Sequence, residues 1–448
     1  MHPDPHTPPR TPPHHRRRLR AIAVTLVLGT AMFAAGAVLI DPGSPGTATH
    51  SGQATAGARP AGTASALTAR LQRLPGDWNT WSALAMAYIE QARGSADPAT
   101  YTKAEQALRR SLDLQPRGNT GAEAGMAALA AARHDFTGAL TWATQAVTSD
   151  PYNAAAYGVL ADAHTQLGHY QDAEAAVQKM NDLRPDAASL ARASYTFELR
   201  GDTTRAADLM RRSLTAATTD SARAFAHTCL ATLALEDGDA QRALKEAEQG
   251  LRASPADAAL LDARARARAA LGRNGQALAD WQRAVDIVPL PHLVLALGEM
   301  HQALGHRPQV DSQYALLKAQ DTVRASAGSP PDTDAILFEA DHGSPARAVE
   351  LAEQALRKRP FLAVQDAYGW ALHRAGRDDE ALAHADQALV LGTRQALWRY
   401  HRAAIHHALG DDTAARTDLE AALEGAPALH PLHARQARAL LQRIGTRP

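Results

Sequence analysis

Residues 366–392 read DAYGWALHRAGRDDEALAHADQALVLG. Two runs rich in Ala and Leu flank Gly376, and both suit helix, because Ala and straight-chain residues lose little entropy there. Glycine at the junction supplies the left-handed residue on which a helix often ends. A small residue, Gly369, stands seven positions before that glycine, and another, Ala381, stands five after it. In a helical hairpin these two sites face each other, and small side chains there let two helices approach closely.

The pattern recurs along the chain. Turn glycines stand at Gly168, Gly201, Gly238, Gly272, Gly305, Gly343, Gly376 and Gly410, with spacings of 33, 37, 34, 33, 38, 33 and 34. The two longer spacings span extra residues near Thr218–Ser221 and Ala325–Asp332. The site five after each glycine is Ala in all but one unit, where Val310 replaces it. The site seven before is Ala, Ser or Gly except at Ile336. Pro151 and Pro185 lie 34 apart, as do Pro255 and Pro289, and each ends a helical stretch it cannot continue. Nearer the start, Trp81, Leu84, Ala85, Tyr88, Ala104, Leu108 and Pro116 fit another unit with an insertion around Gly94–Pro98. A degenerate unit follows around Ala127, Ala139, Ala146 and Pro151.

On these residues the chain resembles the tetratricopeptide-repeat family, whose unit is a 34-residue helix–turn–helix. About ten units cover Trp78–Pro427, and Pro431–Ile444 reads as the solvating end helix such arrays need. The resemblance implies an all-α fold, a right-handed α-solenoid. It also implies a binding role, because the first helix of each hairpin lines a concave groove that takes peptides.

Composition agrees. Ala is abundant, aromatic residues are only 5% of 448, and Val and Ile are sparse, which favours helix over sheet, and the 47 basic and 47 acidic residues cancel. A neutral body without a basic stripe argues against nucleic acid as a partner. Cys229 is the one cysteine, so neither an intrachain disulfide nor a thiolate metal cluster can form, and it reads as a packing residue.

Ahead of the repeats, residues 1–20 are expected to be a disordered basic tail, with five arginines against Asp4. Ala21–Ile40 holds twenty residues without a charge, about 30 Å as a helix, which matches the hydrocarbon core of a bilayer. It is expected to be a signal-anchor helix, with a cleaved signal peptide as the alternative. The flanking arginines place the tail in the cytoplasm and everything after Ile40 outside. The expected location is therefore the cell membrane, single-pass, or secretion if the segment is cut. Residues 41–64 read as a flexible linker, 65–427 as the solenoid, and 428–448 as the end helix and tail.

No phosphate loop, zinc helix or nucleophile elbow occurs, so neither catalysis nor a cofactor is expected. Eleven of the 20 histidines lie between His292 and His433, and His373 and His407, 34 apart, should hold equivalent places. No third ligand converges on them in the sequence, and no metal site is expected. Helical counting along the first helices puts Asp162, Tyr195, Glu198, Asp262, Arg266, Glu299, Gln302, Asp366, Trp370, His373, Tyr400 and His407 on the groove face. For Tyr195, Trp370 and Tyr400, packing inside a hairpin is the competing reading. Some family members clamp a terminal carboxylate with Lys and Asn here, residues this groove lacks. Five acids against Arg266 predict a partner segment that is extended and neutral to basic. The expected function is a scaffold that binds partner proteins at the cell envelope. The alternative is a structural, self-assembling element.

Overall fold

The computed structural model describes residues 60–445, apart from 96, 97, 327, 427 and 429. All regular structure there is helical. A first helix, α1 (Pro60–Arg73), begins inside the stretch expected to be linker. Ten hairpins follow. They are α2 (Trp78–Ser95) with α3 (Pro98–Leu114), α4 (Thr120–Ala132) with α5 (Phe136–Ser149), and α6 (Ala154–Gln166) with α7 (Tyr170–Leu183). Next come α8 (Ala187–Glu198) with α9 (Thr203–Ala216), α10 (Asp220–Glu236) with α11 (Ala240–Ala253), and α12 (Ala258–Ala270) with α13 (Asn274–Ile287). The last four pair α14 (Pro291–Ala303) with α15 (Arg307–Ser326), α16 (Thr333–His342) with α17 (Pro345–Lys358), α18 (Leu362–Arg374) with α19 (Asp378–Ala388), and α20 (Ala396–Ala408) with α21 (Asp412–Gly425). The end helix is α22 (His433–Gly445). The expected anchor, Ala21–Ile40, lies outside the described residues. Among the described residues no helix is long and apolar enough to cross a membrane.

The sequence builds each hairpin the same way. Asn or Asp stands before many helices, and its side chain accepts the N–H three residues on, as Asn119, Asp135, Asn153, Asp202 and Asp239 do. Seven of the eight turn glycines have φ between +73° and +84°, and Gly343 is the exception at φ −127°. In the degenerate unit His134 takes the left-handed position at φ 59° without being glycine. The small pairs meet as expected. Ser194 donates its hydroxyl to the Ala206 carbonyl at 2.7 Å, and a side chain at Gly369 would press on the backbone of Ala381 and Ala385. The extra residues lengthen helices: α10 has 17 residues and α15 has 20.

The stack does not stay open. Turns of the early hairpins touch loops of the late ones, one winding of the coil further on. Gly168 abuts the Pro360 carbonyl, Gly201 that of Gly392, and Gly238 that of Gly425. His134 faces Pro330 and Pro331 across a small gap. The Leu362 N–H donates to the Tyr170 hydroxyl at 3.1 Å, 192 residues away in sequence. Gln395 donates to Glu236, and Arg394 lies 3.5 Å from Asp237. An apolar cluster fills the join, with Leu199, Phe361 and Leu362 buried and Tyr170, Tyr195, Leu391 and Trp398 packed on it. The expected extended groove is thus a coil whose windings meet along a seam.

Candidate functional site

Burial removes most of the predicted acids from a partner's reach. Asp162 is buried and accepts from Arg192 through both oxygens, at 2.9 and 2.7 Å. Asp366 is buried against His401 at 3.0 Å. Glu299 is buried between His342 at 3.1 Å and His430 at 2.9 Å. Burial works to protonate Glu299, but the charge of His430 and the hydrogen bonds from both imidazoles outweigh it and hold the carboxyl well below its usual range. Asp262 accepts from Arg266 at 2.8 Å and from the Trp281 ring N–H at 2.7 Å. Arg266 keeps 52% of its side chain exposed. The acidic groove is corrected accordingly: these carboxylates are taken up by partners on their own or neighbouring helices.

Glu198 meets a different fate. It is 5% exposed, and burial raises its carboxyl to about 8. Burial, with the neighbouring Glu198 carboxyl second, also raises Glu236 well above the usual range, and one Glu236 oxygen has no hydrogen-bond partner. Glu198 and Tyr195 line a cavity of about 50 Å³ with Tyr170, Phe225 and Cys229. Burial pushes the Tyr195 phenol and the Cys229 thiol well up, so both stay protonated. Cys229 is an inert packing residue, as expected. The cavity holds little more than a water or two.

The remaining predicted residues converge. Gln302, Trp370, His373, Tyr400 and His407, from α14, α18 and α20, line one cleft of about 610 Å³ at the C-terminal end of the coil. That is the size of a typical ligand site. Trp370 and Tyr400 are buried in its wall and packed between hairpins, not inside one. Trp370 stacks on His401 with centroids 4.2 Å apart and gives its ring N–H to Asp341 at 3.1 Å. The Tyr400 hydroxyl donates to Gln436 at 3.0 Å, and burial raises the phenol to about 12. His373 and His407 do hold equivalent places, each facing the aspartate five residues on, at 2.5 Å from Asp378 and 2.6 Å from Asp412.

Sequence reasoning missed the far wall. His433, Arg435, Gln436 and Arg443 come from α22, read in the sequence only as a solvating cap. A signal was present, since α22 carries three arginines and no acid. Arg374 completes the set from α18. Its guanidinium donates to the Ala340 carbonyl at 3.1 Å and lies 5.9 Å from the Trp370 ring. Arg435 is exposed and makes no ion pair among the described residues. Three arginines, Arg374, Arg435 and Arg443, and one carboxylate, Asp341, line the cleft, and Asp341 is already held by His433 at 3.3 Å and Arg374 at 3.4 Å. Burial lowers His433, but the hydrogen bond and charge of Asp341 outweigh it and raise the imidazole. The cleft is basic, opposite in sign to the groove the sequence suggested.

Antiparallel helical hairpins of near-34-residue period, stacked into a coil and closed by an end helix, define an α-solenoid repeat protein. Tetratricopeptide-repeat family models match residues 130–194 and 339–396. The chain is a tetratricopeptide-repeat protein, and the fold generally serves as a scaffold for protein–protein interaction. Solved structures similar to it include a tetratricopeptide repeat protein from Parabacteroides merdae (16% identity, 58% of this chain and 99% of that one, TM-score 0.33). They also include PilW, a widely conserved type IV pilus biogenesis factor (19%, 45% and 92%, 0.39). Yeast Tom70 is a third (12%, 81% and 95%, 0.31). No curated protein matches the chain in sequence.

Proposed function

We propose that the protein is a binding scaffold whose C-terminal cleft takes an acidic segment of a partner protein. The observation that carries this reading is the convergence of Arg374, Arg435 and Arg443 on a 610 Å³ cleft with Trp370, Tyr400 and Leu440 in its walls. Guanidinium forks pair with carboxylates bidentately, and the buried aromatic side chains keep the wall that carries them rigid. The partner chemistry is then an acidic peptide. This reading takes the opposite sign to the charge preference inferred from the sequence, which counted carboxylates that the fold buries against partners.

We place the array outside the cytoplasmic membrane, tethered by Ala21–Ile40. Protease added to spheroplasts, whose outer envelope has been removed, should then digest the repeats, whereas digestion only after lysis argues for a cytoplasmic array.

The binding reading is tested with fluorescent peptide pools titrated into the full chain. Acidic pools should bind at least about tenfold tighter than basic ones, weaken with salt, and lose about tenfold on Arg435→Glu with Arg443→Glu. Equal binding of both pools, or an unaffected charge-reversal variant, refutes the cleft. Concentration-dependent self-association with no peptide binding would favour a self-assembling element instead.

A further inference from the structure

The turn between α6 and α7 brings two imidazoles together. The hairpin closes when the His169 N–H donates to the His164 carbonyl at 2.8 Å. That backbone bond sets the two side chains abreast, with their Nδ1 atoms 3.3 Å apart. Asp172, in the first turn of α7, adds a carboxylate. One ligand atom from each of the three residues lies within 4.8 Å of the others.

The fold itself does not ask for histidine here. Asp135, Asp202, Asp239 and Asp411 occupy the place of His169 in other hairpins and close the same backbone bond. Each caps its second helix with a side-chain oxygen. His169 makes no cap bond, and its ring turns towards His164 instead.

We propose that His164, His169 and Asp172 form a binding site for a divalent transition ion of the zinc class. At metal–nitrogen bonds of about 2.0–2.1 Å and tetrahedral angles, two ligand nitrogens stand about 3.3–3.4 Å apart, the spacing the turn imposes. Two imidazoles and a carboxylate suit zinc, cobalt, nickel or copper rather than magnesium or calcium. Three protein ligands leave a fourth position for water or a partner's side chain. The ion would staple the last turn of α6 to the first of α7. Gly168, between the two histidines, is one of the glycines on the seam, so the site stands beside that join.

The protein carries its own reference. His301 and His306 form the same turn, with Nδ1 atoms 3.1 Å apart. Where the first site has Asp172, this one has Gln309, whose amide is a poor ligand. The second pair should bind more weakly.

The test is cobalt(II) titration of the untagged full chain, read by visible absorption, followed by displacement with zinc. The tail histidines His2, His6, His14 and His15 are common to every variant, so the readout is the difference from wild type. One equivalent with the intense absorption of four-coordinate cobalt should appear in wild type and in His301→Ala. Its affinity should fall at least about tenfold in His164→Ala and His169→Asn, and by less in Asp172→Asn. Asn restores the helix cap, so His169→Asn should melt no lower than wild type, which separates loss of the ion from loss of fold. Cobalt binding unchanged in His164→Ala and His169→Asn, or lost in His301→Ala, overturns the proposal.

Discussion

Two glycines with the same backbone conformation should respond very differently to one methyl group. Gly238 and Gly272 both end a first helix, at φ +75° and +73°. Alanine at either must adopt the left-handed region, which costs about 1–2 kcal/mol, partly offset by a less flexible unfolded chain. At Gly272 nothing lies within 4 Å of the added methyl, and the cost ends there. At Gly238 the methyl would stand 2.5 Å from the Gly425 carbonyl, across the seam. That neighbour is backbone and cannot rotate away, so the two windings must part or the turn must distort. Overpacking of this kind costs a further 1–3 kcal/mol or so. The assay is hydrogen exchange at the Leu362 amide, whose partner is the Tyr170 hydroxyl on the same seam. If the seam opens as a unit, Gly238→Ala should speed that exchange by roughly 5- to 150-fold, the equivalent of 1–3 kcal/mol, while Gly272→Ala leaves it near wild type. Equal exchange in both variants would mean that the windings do not hold each other, and the closed coil would be wrong.

Glu198 gives a pH prediction. Its folded carboxyl titrates at about 8 against an ordinary 4.5, so its contribution to stability is full below about pH 4.5 and is lost as pH rises through about 8. Each unit in that window costs about 1.4 kcal/mol per proton. Glu198→Gln should therefore outlast wild type in urea at pH 7.5 and match it near pH 5; parallel curves would refute the assignment. Arg192→Met strands the buried Asp162 carboxylate and should cost about 3–5 kcal/mol, whereas Asp162→Leu with Arg192→Met should recover most of that loss by urea midpoint. Trp370→Ala removes a side chain only 3% exposed. It should cost about 3–5 kcal/mol and, in the variant that still folds at low temperature, abolish acidic-peptide binding by anisotropy.

The hairpins were legible because they are local. Gly369 facing Ala381, and Ser194 facing Ala206, are fixed by contacts within a dozen residues of a glycine turn. His134 shows where that reading falters, since its left-handed turn uses a residue that announces nothing. The inward register of Trp370, His373, Tyr400 and His407 also followed from helical counting, and all four line the cleft. The sign of its charge did not follow. Asp162 finds Arg192 30 residues on, Asp366 finds His401 35 residues on, and Glu299 finds His430 131 residues on. The first two offsets are close to one repeat, so looking for a basic side chain one unit downstream of each acid would have found those partners. The third depends on how small rotations between hairpins add up, which no local pattern encodes. The seam is of the same kind.

A coil with touching windings behaves as a tightly wound spring does, not as an open one. Open solenoids stretch at small load, because each unit leans only on its neighbours. Here the join through Leu199, Phe361 and Leu362 must give way before the coil can lengthen at all. Pulled between a fixed end and a captured partner, the molecule would stay stiff up to a threshold and then yield. The same join governs entry. A long guest cannot slip sideways into the interior, so it arrives end-first or waits for the windings to separate. A guest that waits is captured at a rate that levels off, at high guest concentration, at the rate at which the coil opens.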